Sequence, residues 1–216
     1  MDSYSKGYID ALVDAQSHID GYFFLEESLS PALLDAMQKV CPITPNQDGA
    51  ETPAYVYSHY FLGRRATALA RIDLLNKLSQ NFDVTVYTHA DCKDILPTAI
   101  YGGKIDYYDT MPTVFQHSKI NLNITLKTIQ TGIPLRAWDI LGCSGFLLTN
   151  FQQELCDFFI PGEDFVYYES PADAIEKAAY FLSHDRERQE IAHNAFEKIA
   201  ASHTFHHRVQ SMFDII

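Results

Sequence analysis

A Rossmann-like α/β fold with a parallel sheet is what this chain of 216 residues predicts, and three features of its pattern predict it. From about residue 54 onward, short strand-like runs alternate with helical stretches, the order that builds a parallel sheet with helices on both faces. Near the middle, KINLNITLKTIQTGIPLRAWDILGCSGFLLTN (Lys119–Asn150) reads as strand, polar loop, short helix, glycine turn and strand. Its last run, Phe146–Thr149, has the apolar character of a strand buried on both sides.

Taken in order, residues 1 to about 53 differ from the rest. Ile9, Leu12, Val13 and Ile19 suggest one helix. Ser30-Pro31 opens a second, with Leu33, Leu34, Met37 and Val40 on its apolar side. Cys41–Pro53 has the proline, glycine and polar content of a linker. Residues 1–53 are therefore expected to be a helical segment with a linker, and residues 54–216 the Rossmann-like domain.

Within that domain, Ala54–Ser58 is expected to be a short strand. Gly63–Gln80 is expected to be a helix with Ala68, Leu69, Ile72 and Leu75 inward. Strands are expected at Asp83–Thr88 and, after a Gly102-Gly103 turn, at Lys104–Tyr107. A short helix at Pro112–His117 precedes Lys119–Ile124, where Ile120, Leu122 and Ile124 alternate with polar residues and predict one buried face. After the central unit come a helix near Gln152–Phe159, a strand at Asp164–Tyr168 and three helices. The last of them carries Val209, Met212, Phe213 and Ile216.

The chemistry is expected where the polar loop meets the central helix. Ligands of open parallel sheets sit beyond the carboxyl ends of the strands. A helix starting at Ile133–Leu135, with Pro134 in its first turn, aims free N–H groups at such a site and suits a diphosphate. Arg136 adds a guanidinium, and Asp139, one turn further on, can accept bonds from ribose hydroxyls. The plainer reading has Asp139 complementing the helix dipole and pairing with Arg136. Gly142 or Gly145 is expected to supply the left-handed residue that ends the helix.

Composition sets limits. A net charge of −12 argues against general nucleic-acid binding, which needs clustered lysine and arginine. No apolar run is long enough to span a membrane. Cys41, Cys92, Cys143 and Cys156 are scattered without a C-x-x-C pair, so reduced thiols in a cytoplasmic protein are expected.

Several stretches together resemble one family. They are YFLGRRATALARIDLL (Tyr60–Leu75), VTVYT (Val84–Thr88), Gly102–Asn150 with the central motif, and PGEDFVYYESPADAIEKAAYFLSHDRERQEIA (Pro161–Ala192). They resemble the donor-binding, C-terminal half of GT-B glycosyltransferases, and more closely the CgeB-like, spore-maturation-type enzymes. The resemblance spans about residues 54–216. It implies a nucleotide-diphosphate sugar as donor substrate, no metal or other cofactor, and transfer of a hexosyl group to an acceptor of unknown kind. Asp139 occupies the place of the acid that holds the ribose. Retaining enzymes often carry a second acid eight positions earlier, where this chain has Thr131. The resemblance makes Thr131, Gly132 and Arg136 neighbours of phosphate or sugar, with Lys127 from the same loop.

Only about fifty residues precede the donor-like domain, so the resemblance implies a piece of a larger enzyme whose acceptor half is missing. The first helices then read as the tail of that half, with faces that pack on it or pair two copies as a homodimer. Alternatively, the chain is a non-catalytic nucleotide-sensing or protein-interaction module. His117 before the central strand and Asp109 in DTMP are the catalytic candidates, though a helix-end histidine and a helix cap explain them as well. His203, His206 and His207 lie too close together for easy zinc geometry and read as capping or solvated residues, so no metal site is expected.

Overall fold

Tyr57 lies in a helical core with Ile9, Val13, Leu25, Leu29, Leu33, Met37, Leu62 and Ala66. The computed structural model describes residues 1–44, 49 and 51–213. They group into two units: Met1–Leu74 with Thr125–Gln130, and Leu75–Ile124 with the remainder from Thr131. Part of the expected linker, residues 45–48 and 50, lies outside the described residues, as does Ile216.

In the first unit, α1 (Ser3–Ser17) starts where the Asp2 carboxylate accepts the Ser5 N–H, and α2 (Pro31–Val40) where Ser30 accepts that of Leu33. Ile19 falls beyond the end of α1 and is exposed. A third helical run begins with α3 (Pro53–Tyr55) and passes through a π-helical stretch, Val56–Leu62, into α4 (Gly63–Ser79). The strand expected at Ala54–Ser58 is therefore helical. Thr52 caps the run by accepting the Tyr55 N–H at 3.1 Å, and Pro53 takes the position where a missing N–H is harmless. Tyr57, Leu62 and Ala66 then fall on one buried side, spaced by five residues through the π-helical stretch and by four after it.

That side shares a core with Ile9, Val13, Leu25, Leu29, Leu33 and Met37, so the two N-terminal helices find a packing partner within this chain. The expected inward stripe of α4 is not the buried one. Ala68 and Leu69 are exposed, whereas Ala66 and Thr67 are buried. The Thr67 hydroxyl donates to the Gly63 carbonyl at 2.8 Å, which lets a polar residue sit on the core face.

The second unit holds the strands. The parallel pair is β1 (Thr85–Tyr87) with β2 (Ile100–Gly103). A three-stranded parallel sheet runs β3 (Asn121–Asn123), β4 (Leu147–Asn150), β5 (Val166–Tyr168). The strand expected at Lys104–Tyr107 lies earlier, at Ile100–Gly103, because Gly102 is a strand residue pressed against the Tyr87 ring. A Cβ at Gly102 would lie 2.6 Å from Tyr87 Cε1. Five helices accompany the strands among the described residues: α5 (Met111–His117), α6 (Leu135–Gly142), α7 (Pro171–Ser183), α8 (Asp185–Ser202) and α9 (Phe205–Phe213). The helix expected near Gln152–Phe159 is a 3₁₀ turn, Gln153–Asp157.

Leu147 packs in one cluster with Ala137, Ile140 and Leu141 of α6 and Ala195 of α8. Phe146, one residue earlier, meets Phe181 of α7 with ring centroids 4.8 Å apart. Successive residues of an extended segment point to opposite faces, so helices cover both. Short parallel sheets flanked in this way make the unit α/β and Rossmann-like.

β3 differs from its expected pattern. Asn121 and Asn123 are the buried residues, while Ile120, Leu122 and Ile124 are half-buried. Both amides are satisfied: Asn121 Nδ2 donates to the Phe115 carbonyl at 2.9 Å, and Asn123 Nδ2 to Thr149 Oγ1 at 3.0 Å. At the end of α6 the left-handed residue is Ser144, with φ of 56°, rather than either glycine. Gly145 is needed for space, since a Cβ there would lie 2.8 Å from Asn121 Nδ2 and 2.9 Å from the Phe115 carbonyl oxygen.

Candidate functional site

α6 begins without a side-chain cap. Its N-cap is Pro134, which follows Gly132 in the left-handed region at φ of 91°. The Ala137 N–H bonds the Pro134 carbonyl at 2.9 Å, so the orphan donors of the first turn belong to Leu135 and Arg136. Leu135 itself is 77% exposed, so the entrance to this helix is open.

Arg136 and Asp139 stand one turn apart on α6, and Tyr107 touches both. The Tyr107 hydroxyl donates to Asp139 Oδ2 at 2.7 Å, and its ring lies 5.8 Å below the Arg136 guanidinium. The hydrogen bond to Asp139 and then burial hold the Tyr107 phenol above its usual pKa. Arg136 also lies over the Phe115 ring at 5.5 Å and donates to the Met111 sulfur. A guanidinium carries five donors, and one bond to a weak sulfur acceptor leaves most of them for an anion. Both groups expected to receive a nucleotide thus rest on one aromatic side chain.

The turn before α5 fixes that side chain. Asp106 accepts the N–H groups of Tyr108 and Asp109, each at 2.8 Å, and these bonds lower its carboxyl pKa. Asp106 therefore plays the local capping role that is one reading of Asp109. Thr110 is the N-cap of α5 without a side-chain bond, and Asp109 is exposed. In the sequence Tyr107 is one of several tyrosines that could stack on a base or sugar, most of them readable as sheet and core residues.

Other candidates are placed as follows. Thr131 and Gly132 are exposed on the way into α6. His117 has Nδ1 at 2.8 Å from the Thr113 carbonyl oxygen, one turn back in its own helix. Lys127 belongs to the first unit, where it is buried and its Nζ donates to Asp20 Oδ1 at 2.8 Å. The first unit also holds an open groove of about 470 Å³ lined by Arg64, Ala68, Arg71, Ile72 and Leu126, on the helix face expected to turn inward. His203 stacks within 5.3 Å of Trp138 and of Phe158, with Arg208 over both rings, and burial followed by that arginine lowers its pKa. Among the described residues, no three His, Cys, Asp or Glu side chains are grouped to hold a metal ion, and no helix is long and apolar enough to cross a membrane.

The family model described as "Glycosyl transferase-like" matches residues 65–214, about two thirds of the chain. This chain belongs to the glycosyl transferase-like family. The match takes in the whole of the Tyr107–Arg136–Asp139 cluster and every strand among the described residues. No curated protein and no solved structure gave a match. The match supports a function of glycosyl transfer in general terms.

Proposed function

We propose that this glycosyltransferase domain is of GT-B type, CgeB-like, and binds a nucleotide-diphosphate sugar as donor. The carrying observation is the placement of Arg136 and Asp139 one turn apart at an uncapped helix start, both resting on Tyr107. The Leu135 and Arg136 N–H groups and the Arg136 guanidinium would face the diphosphate, and Asp139 the ribose.

In the transfer step, the bond between the sugar's anomeric carbon and the diphosphate oxygen breaks. The leaving diphosphate takes the electron pair, and an acceptor hydroxyl forms the new bond while losing its proton to a base. The chain's own contribution is to stabilise the departing charge by preorganised donors, without need of a metal. His117 and Asp109 remain the candidates for the base. Four free thiols support a reducing, cytoplasmic setting.

A second reading has one observation in its favour. Thr131 stands where a retaining enzyme often has its second acid, so the domain is alternatively a nucleotide-sensing or protein-interaction module without catalysis. Calorimetric titration with UDP and GDP decides whether the site exists. One of them should bind with micromolar to millimolar Kd, and Asp139→Ala should weaken it about tenfold, as loss of a hydrogen-bonded carboxylate implies. Equal binding by the variant would remove Asp139 from the site.

A further inference from the structure

At Thr125–Gln130, separated from α6 by four residues, the chain leaves the second unit and joins the first. Three contacts seat it there. The Lys127 N–H donates to Thr67 Oγ1 at 2.9 Å, inside the first unit. The Lys127 ammonium donates to Asp20 at 2.8 Å, with the lysine side chain 5% exposed and the aspartate 39%. Thr128 lies so close to Gly63 that a Cβ on the glycine would come 2.3 Å from its methyl carbon.

We propose that Lys127 is a positioning residue: its ion pair with Asp20 clamps Thr125–Gln130 and so restrains Thr131–Pro134, the lead into α6. This rests on the donor-site reading above. A charge removed from water so fully costs free energy unless it is paired, and Asp20 is the partner that meets the cost. A lysine committed in this way is not a phosphate ligand. Its effect reaches the ligand through the backbone, because the uncapped N–H groups of α6 begin within eight residues of it in the chain.

The two roles differ in the sign of one mutation. If Lys127 served phosphate directly, Asp20→Asn would release the ammonium and leave affinity unchanged or tighter. If Lys127 is a clamp, the same change loosens the loop and weakens binding. The test uses the whole chain, Asp20→Asn, Lys127→Met and the double variant, each titrated with UDP and GDP and followed by amide hydrogen exchange.

The clamp predicts faster exchange at residues 126–131 in Asp20→Asn. It also predicts a Kd raised about threefold or more, and a double variant no worse than the singles. Unchanged exchange, or unchanged or tighter binding by Asp20→Asn, overturns the proposal. If the unmodified chain binds neither nucleotide, the donor reading fails on its own, and the exchange result still decides whether the clamp exists.

Discussion

Tyr107 joins the two halves of the candidate site through one hydroxyl and one ring face. Its phenol is held above the ordinary value of 10.0, first by the bond to Asp139 and then by burial. The folded state therefore favours the protonated phenol. That contribution is complete below about pH 10 and disappears as pH rises through the folded value. An ultraviolet difference titration should show a tyrosine that ionises late in the parent protein and earlier in Asp139→Ala. A titration curve unchanged by that substitution would mean the 2.7 Å bond does not persist in solution. Tyr22, Tyr57, Tyr60 and Tyr180 are shifted in the same direction, so the difference between variants, rather than the raw curve, is diagnostic.

At the scale of elements, the central βαβ unit and most helices were legible in the sequence, because caps and apolar spacing act locally. Ser30-Pro31 marks a helix start that the structure keeps. What was not legible depends on partners distant in the chain. Asn121 reads as a solvent-facing residue until Phe115 supplies its acceptor, and Ala54–Ser58 reads as a strand until a helical core claims Tyr57. In the candidate site, Arg136 and Asp139 were visible from spacing, whereas Tyr107 and the Asp20–Lys127 pair arise only from folding. Gly63 shows how packing reverses a local preference. In an open helix, Gly→Ala gains about 1 kcal/mol. Here the new methyl would meet Thr128 and lie 3.0 Å from the Ser58 carbonyl oxygen, and such crowding costs about 1–3 kcal/mol. Gly63→Ala should therefore lower the urea midpoint, and adding Thr128→Ser should recover part of the loss. A midpoint raised by Gly63→Ala would show that the loop does not sit against α4.

For the whole molecule, charge is the dominant long-range term. Sixteen basic residues against twenty-eight acidic ones leave −12 at neutral pH, and the excess repels itself in the compact state. Screening shortens from about 30 Å at 0.01 M salt to about 8 Å at 0.15 M. Thermal or urea midpoints should rise across that range of sodium chloride. A flat or falling response would mean that attractive pairs such as Arg65 with Asp10 outweigh the repulsion.

The π-helical stretch between α3 and α4 gives the chain an unusual tolerance. A helix turns roughly 100° per residue, so a deletion in ordinary α-helix rotates everything beyond it away from its partners. A π-helical stretch is equivalent to an inserted residue absorbed without loss of phase. Removing exposed Tyr60 would shorten the Tyr57–Leu62 interval from five to four, and ordinary α-helical winding would keep both side chains on one face. Here length itself can vary by a residue while the core keeps its alignment.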